Sequence, residues 1–448
     1  MKWSRYSHLF ASKRNGWLLY NSASNAFLQL PDDTAAAIQK IRDDVDSFDF
    51  SAAPQLYLVL RSSGFIIEEG KDDAFYNILK MHRLTANYAV NTLMLTIAVT
   101  RNCNFDCSYC YEGNRTGKPM SETVAENVLK FAEQHHRMEN LMITWYGGEP
   151  LLAIDRIRTM TKKFMALDKK YTAMLVTNGY LLTQAVIDDL NDLHIQWIQI
   201  TLDGNEMTHD SRRYLKNRGK TFQTILANLK LLMASDYKGI VSIRVNVDTR
   251  NENEFIEVYK LIRRMFPQQY GKNISVYPGF VKGDEHPDRS CFYDSADMGN
   301  FLARMAETYG IQPLQLYPSH PSVGCTLTRR NAYVVGPDGE LYKCWDDVGI
   351  KELEIGRVDD LSQWNMGLVA EGMVAASYLD AAECRECFYF PVCNGGCHKV
   401  RMKNLHDDHQ RDCCSYFKHN LDDLLELYYE QKLRRKQDGE QKGHPDPA

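Results

Sequence analysis

Nothing in the 448-residue chain approaches the roughly 18 uncharged apolar residues of a membrane-spanning helix. Its start, MKWSRYSHLF, has neither the apolar segment nor the small-residue cleavage site of an export signal. An excess of positive charge is missing too. The 53 Lys and Arg against 58 Asp and Glu leave a formal net charge of −5, which gives no reason to expect nucleic acid or an anionic membrane as partner. No internal repeat of fixed period is found, so solenoid architectures are not expected. These absences lead to the expectation of a cytoplasmic protein. Hydrophobic residues at 44% and charged residues at 25% are ordinary for globular domains with real cores.

Cysteine is absent from residues 1–85 and abundant afterwards, with 12 in the whole chain. Structural disulfides are rare in the cytosol, so spaced cysteines there point to metal binding or redox chemistry. Only Cys291 and one of the adjacent pair Cys413/Cys414 stand apart from the spaced groups.

The first 85 residues read as short strands (Trp17–Tyr20, Ala26–Leu30, Phe65–Ile67) and helices (Asp32–Asp44, Gln55–Ser62), a winged-helix-like pattern. From about residue 90 to 280 strands and helices alternate. Strands are expected at Leu93–Val99, Leu141–Trp145, Ala173–Val176, Trp197–Leu202, Ile240–Val247 and Ile274–Tyr277. Helices fall between them, with Ser121 and Asn253 as possible N-caps. About six βα steps imply an α/β fold with a parallel sheet, closed or partly closed, whose ligands sit at the C-terminal strand ends. Residues 320–417 are cysteine- and loop-rich, 418–436 form an amphipathic helix, and the polar tail is expected to be disordered.

The first strand runs into Cys103-Asn104-Phe105-Asp106-Cys107-Ser108-Tyr109-Cys110. Three thiolates in one compact loop can hold three irons of a [4Fe–4S] cluster and leave the fourth open. By spacing alone the loop also fits a structural zinc or cluster knot with a distant fourth ligand. The next strand ends in Gly147-Gly148-Glu149-Pro150, which by itself reads as a tight turn. Ile200-Thr201-Leu202-Asp203-Gly204, His209-Asp210 and Arg213 follow.

In this order the motifs resemble the radical S-adenosylmethionine (SAM) family. The resemblance implies a partial (β/α)6 TIM-like barrel and SAM chelated at the open iron of the Cys103, Cys107 and Cys110 cluster. It implies SAM contacts from Tyr109, Gly147, Gly148, Glu149, Thr201 and Arg213. Asn178 and Asn246, at other strand ends, could line the same cavity. His209 reads as a loop or helix-capping histidine and Tyr277 as a core aromatic.

A second cysteine order follows: Cys325, Gly339-x4-Cys344, Cys384-x2-Cys387-x5-Cys393-x3-Cys397, and Cys413. It resembles the SPASM extension, which holds two auxiliary [4Fe–4S] clusters and makes three in all. A pair of zinc ribbons is the plainer alternative for such spacings. By the resemblance, Cys325, Cys344 and Cys397 bind the first auxiliary cluster, and Cys384, Cys387, Cys393 and Cys413 the second. The first is then one ligand short. Cys414, Cys291, a non-cysteine group or a substrate thiolate could complete it.

The N-terminal region is similar to the peptide-recognition domain of maturases of ribosomally made peptides, which binds a leader by adding a strand to its sheet. The expected organisation is a recognition domain over 1–88 and a radical SAM barrel over 89–310. A SPASM domain with a C-terminal helix would cover 311–436, and a disordered tail 437–448. The expected function is a radical SAM oxidoreductase acting on a precursor peptide with leader. A 5′-deoxyadenosyl radical would abstract hydrogen and close an intramolecular C–S or C–C crosslink. An external one-electron donor such as flavodoxin or ferredoxin is implied. The alternatives are an anaerobic sulfatase-maturing, formylglycine-generating enzyme, and an iron–sulfur carrier or scaffold without SAM chemistry. No sequence feature selects a catalytic acid or base, although Asp346 and Asp347 are present.

Overall fold

The computed structural model describes residues 1–110, 112, 117–281, 293–311, 315–321, 324–360, 362–408 and 410–442, with 436–442 as backbone alone. Cys291, weighed above as a cluster ligand, lies outside the described residues. The chain divides into two compact units. One comprises Met1–Ala86, Asp294–Gly324 and Ala376–Ala448, the other Asn87–Tyr293 and Cys325–Ala375. The first division, after Ala86, lies two residues from the expected 88/89. Both units are assembled from segments far apart in sequence.

The N-terminal segment carries β1 (Lys2–Trp3), β2 (Ser7–Ser12), β3 (Gly16–Asn21), β4 (Phe27–Leu30), α1 (Asp32–Asp43), α2 (Pro54–Ser62), β5 (Ile66–Ile67) and α3 (Lys71–Asn87). β2, β3 and β4 form an antiparallel sheet, and β1 pairs with β5. Helical spacing brings Ala35, Ile38 and Ile41 to one face of α1. They pack with Leu19, Leu60, Phe65 and Ile66 in a single core. The expected strands and both helices are present. The strand at Ser7–Ser12 and the 17-residue helix α3 were not anticipated.

The second unit begins with β6 (Thr92–Ala98) and continues through α4 (Glu122–Glu133), β7 (Asn140–Tyr146), α5 (Ile154–Met165) and β8 (Lys170–Thr177). There follow α6 (Gln184–Asp189), β9 (Ile195–Thr201), α7 (Glu206–Arg212), α8 (Phe222–Ala234), β10 (Ile240–Val247), α9 (Glu254–Met265) and β11 (Ile274–Phe280). β6 to β11 are parallel neighbours in chain order, the expected six-strand partial barrel. Alternation along β7 buries Leu141, Ile143 and Trp145 and leaves Met142, Thr144 and Tyr146 on the opposite, concave face. Ser121 caps α4, its side chain accepting from the Val124 N–H, whereas Asn253 makes no side-chain cap.

α10 (Ser295–Tyr309) belongs to the first unit, and the chain then returns to the barrel. β12 (Ala332–Val335) pairs parallel with β6, followed antiparallel by β13 (Glu340–Tyr342) and β14 (Gly356–Arg357). The outer edge of β6 exposes unpaired backbone groups, and β12 satisfies them. That is why residues 325–375 fold with the barrel instead of with the cysteines that follow. α11 (Met366–Ala370) closes this part. α12 (Ala382–Arg385), α13 (His398–His406) and α14 (Phe417–Lys442) complete the first unit, α14 with non-helical backbone at Asn420. Helical backbone continues to Lys442, past the expected end at 436, and so runs through Asp438 and Gly439, both weak helix formers.

Candidate active site and cysteine shells

The Cys103–Cys110 loop leaves β6 at the C-terminal edge of the sheet and is held at both sides. On one side it pairs with the segment after α7. Asp106 N–H donates to Tyr214 O (2.8 Å), Ser108 N–H to Arg212 O (3.1 Å) and Lys216 N–H to Asn104 O (3.0 Å). On the other side lies Gly147-Gly148-Glu149. Gly148 N–H donates to Thr100 O (3.0 Å) and Glu149 N–H to Asn102 O (2.9 Å). A Cβ on Gly147, whose φ is +121°, would overlap the Thr100 carbonyl oxygen. One on Gly148 would overlap the carbonyls of Arg101 and Asn102. The two glycines thus serve a backbone-to-backbone approach between the β6 and β7 loops.

Glu149 is fully buried. Its Oε1 accepts from Leu151 N–H (3.0 Å) and Thr177 Oγ1 (2.7 Å), and its Oε2 from Asn178 N–H (2.7 Å). Burial pushes this carboxyl up, and those donors pull against the shift. The side chain therefore ties the β7 loop to the end of β8. Asn178 in turn donates to Asn104 Oδ1 (2.7 Å) and approaches Cys103 Sγ at 4.0 Å.

Tyr109 and Arg213 meet directly: Arg213 Nη1 donates to the Tyr109 hydroxyl at 2.6 Å. Asn246 Nδ2 donates to the same oxygen at 2.9 Å, and the Arg212 guanidinium lies 4.9 Å from the ring centroid. Burial works against the charge of Arg213, but Tyr109, Cys107 and Asp203 around it outweigh that and hold it more basic than usual. Arg212 meets Asp203 (3.4 Å) and Asp248 (3.0 Å). His209 sits behind them as a structural residue. Its Nδ1 accepts from Asp203 N–H (3.2 Å), and its Nε2 lies 3.1 Å from Thr221 Oγ1. Burial, then Arg213 and Arg212, keep its ring well below the ordinary histidine range and neutral. Thr201 ends β9, buried and in register with Arg244 of β10. Tyr277 is no core aromatic: it lies half-buried in register with Arg244, its hydroxyl meeting Gln199.

Do these residues fit an iron–sulfur cluster with SAM? Three buried donors find no protein acceptor: Asn104 Nδ2, Arg212 Nη2 and Arg213 Nε. An unpaired buried donor is costly, and the carboxylate of a bound ligand would satisfy it. Burial raises the Cys103 thiol to about 12, so it needs a bound metal to persist as thiolate. Cys107 and Cys110 are partly exposed at the loop tip. Among the described residues no three His, Cys, Asp or Glu side chains converge as a cage for a single ion. A four-iron cluster spreads its thiolates more widely than one ion does. The donor set fits the cluster.

In the first unit Cys384, Cys387, Cys393 and Cys413 gather with Cys414. Burial raises the four former thiols, and their mutual proximity adds to it: Cys413 feels Cys384, while Cys387 and Cys393 feel Cys414. Arg401 Nη2 donates to Cys384 Sγ (3.4 Å) and Gly395 N–H to Cys393 Sγ (3.2 Å). Gly395 and Gly396 both have positive φ, and a Cβ on Gly396 would overlap the Cys413 carbonyl. Those successive turns bring the two cysteine segments together. Cys325 and Cys344 belong to the barrel unit and Cys397 to the other.

The family model of the radical SAM superfamily matches residues 97–262, the stretch that holds the cysteine loop, both glycines and Arg213. This chain carries a radical SAM domain. The serine-type anaerobic sulfatase-maturating enzyme of Bacteroides thetaiotaomicron is 24% identical over 355 residues, 68% of this chain and 82% of that protein. Among solved structures, native anSMEcpe with bound AdoMet and Cp18Cys peptide superposes with a TM-score of 0.58 at 20% identity. It covers 78% of this chain and 99% of that one. Streptococcus suis SuiB bound to precursor peptide SuiA gives 0.52 at 14% identity, over 93% of this chain and 99% of its own. The fold is that of radical SAM maturases.

Within the radical SAM domain, sequence reading placed the cysteines, the glycines and Arg213 in one site. It missed the network of Arg212, Asp203 and Asp248, for which adjacency to Arg213 and the Asp203-Gly204 turn were the available signals. It also missed Arg244 and the Tyr146–Trp345 stack, whose ring centroids lie 6.1 Å apart. No local motif marks those residues; strand register turns Arg244 and Tyr146 to the concave face, and Trp345 comes from the turn after β13. No helix among the described residues is long and apolar enough to cross a membrane.

Proposed function

We propose that this protein is a radical SAM maturase that modifies a ribosomally made precursor peptide, closing an intramolecular C–S or C–C crosslink. The observation that carries the reading is the contact of Arg213 with Tyr109 inside the Cys103–Cys110 loop, with buried donors left for an anionic ligand. A [4Fe–4S] cluster on Cys103, Cys107 and Cys110, with SAM at its open iron, would supply the 5′-deoxyadenosyl radical that takes hydrogen from the peptide. The chain's own residues prepare the site. Arg213, whose Nε is left without a protein acceptor, would hold the SAM carboxylate. Tyr109, fixed by Arg213 and Asn246, forms a wall beside the cofactor. Gly147 and Gly148 keep the loops close, Glu149 locks them to β8, and the Thr201 hydroxyl would serve the cofactor's ribose or carboxylate.

Two auxiliary clusters complete the proposal. One sits on Cys325, Cys344 and Cys397, with Cys414 as the further ligand that would complete it, and the other on Cys384, Cys387, Cys393 and Cys413. An external flavodoxin or ferredoxin delivers the electron in the cytoplasm. The precursor's leader adds a strand to the sheet of β2, β3 and β4, whose outer strands pair on one side only. The relatives reported above favour a second reading, the oxidation of a Ser or Cys to formylglycine in a sulfatase.

The test is anaerobic. Reduced holoenzyme with SAM is expected to release 5′-deoxyadenosine, and Cys107→Ala to release none. A filled cluster that makes none would refute the reading and leave an electron carrier or scaffold. With a candidate peptide, a loss of two hydrogens and fragments bridged across two residues support a crosslink. Fragments carrying an aldehyde at one residue support formylglycine.

A further inference from the structure

Arg244 lies on the concave face of the barrel and serves none of the roles described so far. It sits in β10 two residues before Asn246, the residue that touches Tyr109. Residues two apart on a strand share a face, so Arg244 lies one step from the layer that meets the cysteine loop. Its register partners are Thr201 on β9 and Tyr277 on β11. Tyr146, at the end of β7, feels its charge across the sheet.

The side chain is oriented and left unneutralised. Arg244 Nε donates to Asn246 Oδ1 at 2.7 Å, which fixes the guanidinium plane, and the group also meets the side chain of Tyr277 on the neighbouring strand. The group lies over Gly279, where any Cβ would overlap Nε and Cζ. That glycine therefore leaves the space the fork occupies. Among the described residues no carboxylate pairs with Arg244. Asp203 and Asp248 meet Arg212, and Asp248 also meets Arg250, while Asp346 acts on Tyr146 and forms no ion pair with Arg244. A half-buried guanidinium on the concave face, met by the neutral side chains of Asn246 and Tyr277, is placed to receive an anion from outside. The carboxylate of SAM is already assigned to Arg213, so the second anion belongs to the other occupant of the barrel.

We propose that Arg244 is the recognition site for a carboxylate on the peptide substrate, carried by an Asp or Glu side chain or by the chain terminus. Its planar fork accepts both carboxylate oxygens, which sets the register of the peptide against the cofactor as well as holding it. This rests on the peptide reading above and narrows the substrate to one with an acidic group near the reacting residue.

The test uses unreduced holoenzyme with SAM and three N-acetylated tripeptide probes: Ac-Ala-Glu-Ala-NH2, Ac-Ala-Gln-Ala-NH2 and Ac-Ala-Gln-Ala-OH. Titration calorimetry is expected to show an acidic probe binding about tenfold or more tighter than the neutral amide, the size of one charged hydrogen-bonded pair. Preference for the first probe identifies a side-chain carboxylate, and preference for the third identifies the terminus. R244Q is expected to erase the preference, and R244K to keep part of it, because a point charge lacks the fork. Melting temperatures show whether both variants remain folded, and R244K carries the test if R244Q does not. Equal affinity for the three probes, including no measurable binding of any, overturns the assignment, as does a preference that survives R244Q. Failure to make 5′-deoxyadenosine is a separate result that sinks the maturase reading whatever the probes do.

Discussion

Replacing Gly147 by alanine tests whether the site is held by backbone contact between two loops. The substitution has two costs. At φ +121° an L side chain is strained by about 1–3 kcal/mol. Its Cβ would also overlap the Thr100 carbonyl oxygen, and the loop must retreat. Retreat breaks the Gly148 N–H bond to that same oxygen, 3.0 Å long, worth about 1 kcal/mol. The sum is about 2–4 kcal/mol, a fall in melting temperature of roughly 4–16 °C for a unit of this size. Two companion variants separate the causes. Gly271→Ala has strain alone, since its φ is +79° and nothing lies within 4 Å. It is expected to cost about 1–2 kcal/mol. Gly148→Ala has overlap alone, with the carbonyls of Arg101 and Asn102, and about 1–3 kcal/mol is expected. The assay is differential scanning calorimetry of anaerobic protein, with iron per chain measured alongside. If Gly147→Ala and Gly271→Ala cost the same within about 0.5 kcal/mol, the β6 and β7 loops are not pressed together and the argument fails.

Gly396→Ala should part the Cys397 segment from Cys413, because its Cβ would overlap the Cys413 carbonyl at a φ of +72°. Iron per chain is expected to fall while the Cys103 cluster, followed by its SAM-dependent spectral change, persists; undiminished iron would count against that cysteine set. His209 predicts a pH dependence. Its folded value lies well below the ordinary 6.5, so below about pH 6.5 the unfolded chain binds a proton that the folded ring refuses. Stability is therefore full above that range and declines as pH drops, by up to about 1.4 kcal/mol per unit. In denaturant titrations His209→Asn should lose this component, and an unchanged slope would mean the ring titrates normally.

The chemistry was legible in the sequence because thiolate spacing and glycine turns are local. Cys103, Cys107 and Cys110 fall within eight residues, and Gly147-Gly148-Glu149 form one turn. The strands and helices of the barrel were legible because apolar residues repeat at strand and helix periods. What each residue does was less so. Glu149 was expected to contact SAM, yet three protein donors engage its carboxylate, two of them from the end of β8.

The sequence by itself determined the cysteine loop, the six alternating βα steps and the cysteine-rich C-terminal shell, since each depends on neighbours along the chain. Tertiary structure alone decided that β12 extends the barrel at β6 and that the first 86 residues pack in the same unit as Cys384–Cys414. It also decided that Arg244 faces the concave surface with no carboxylate paired to it among the described residues. These outcomes depend on which strand edge is left open and on register between strands far apart in sequence, and neither is encoded in any single stretch of residues.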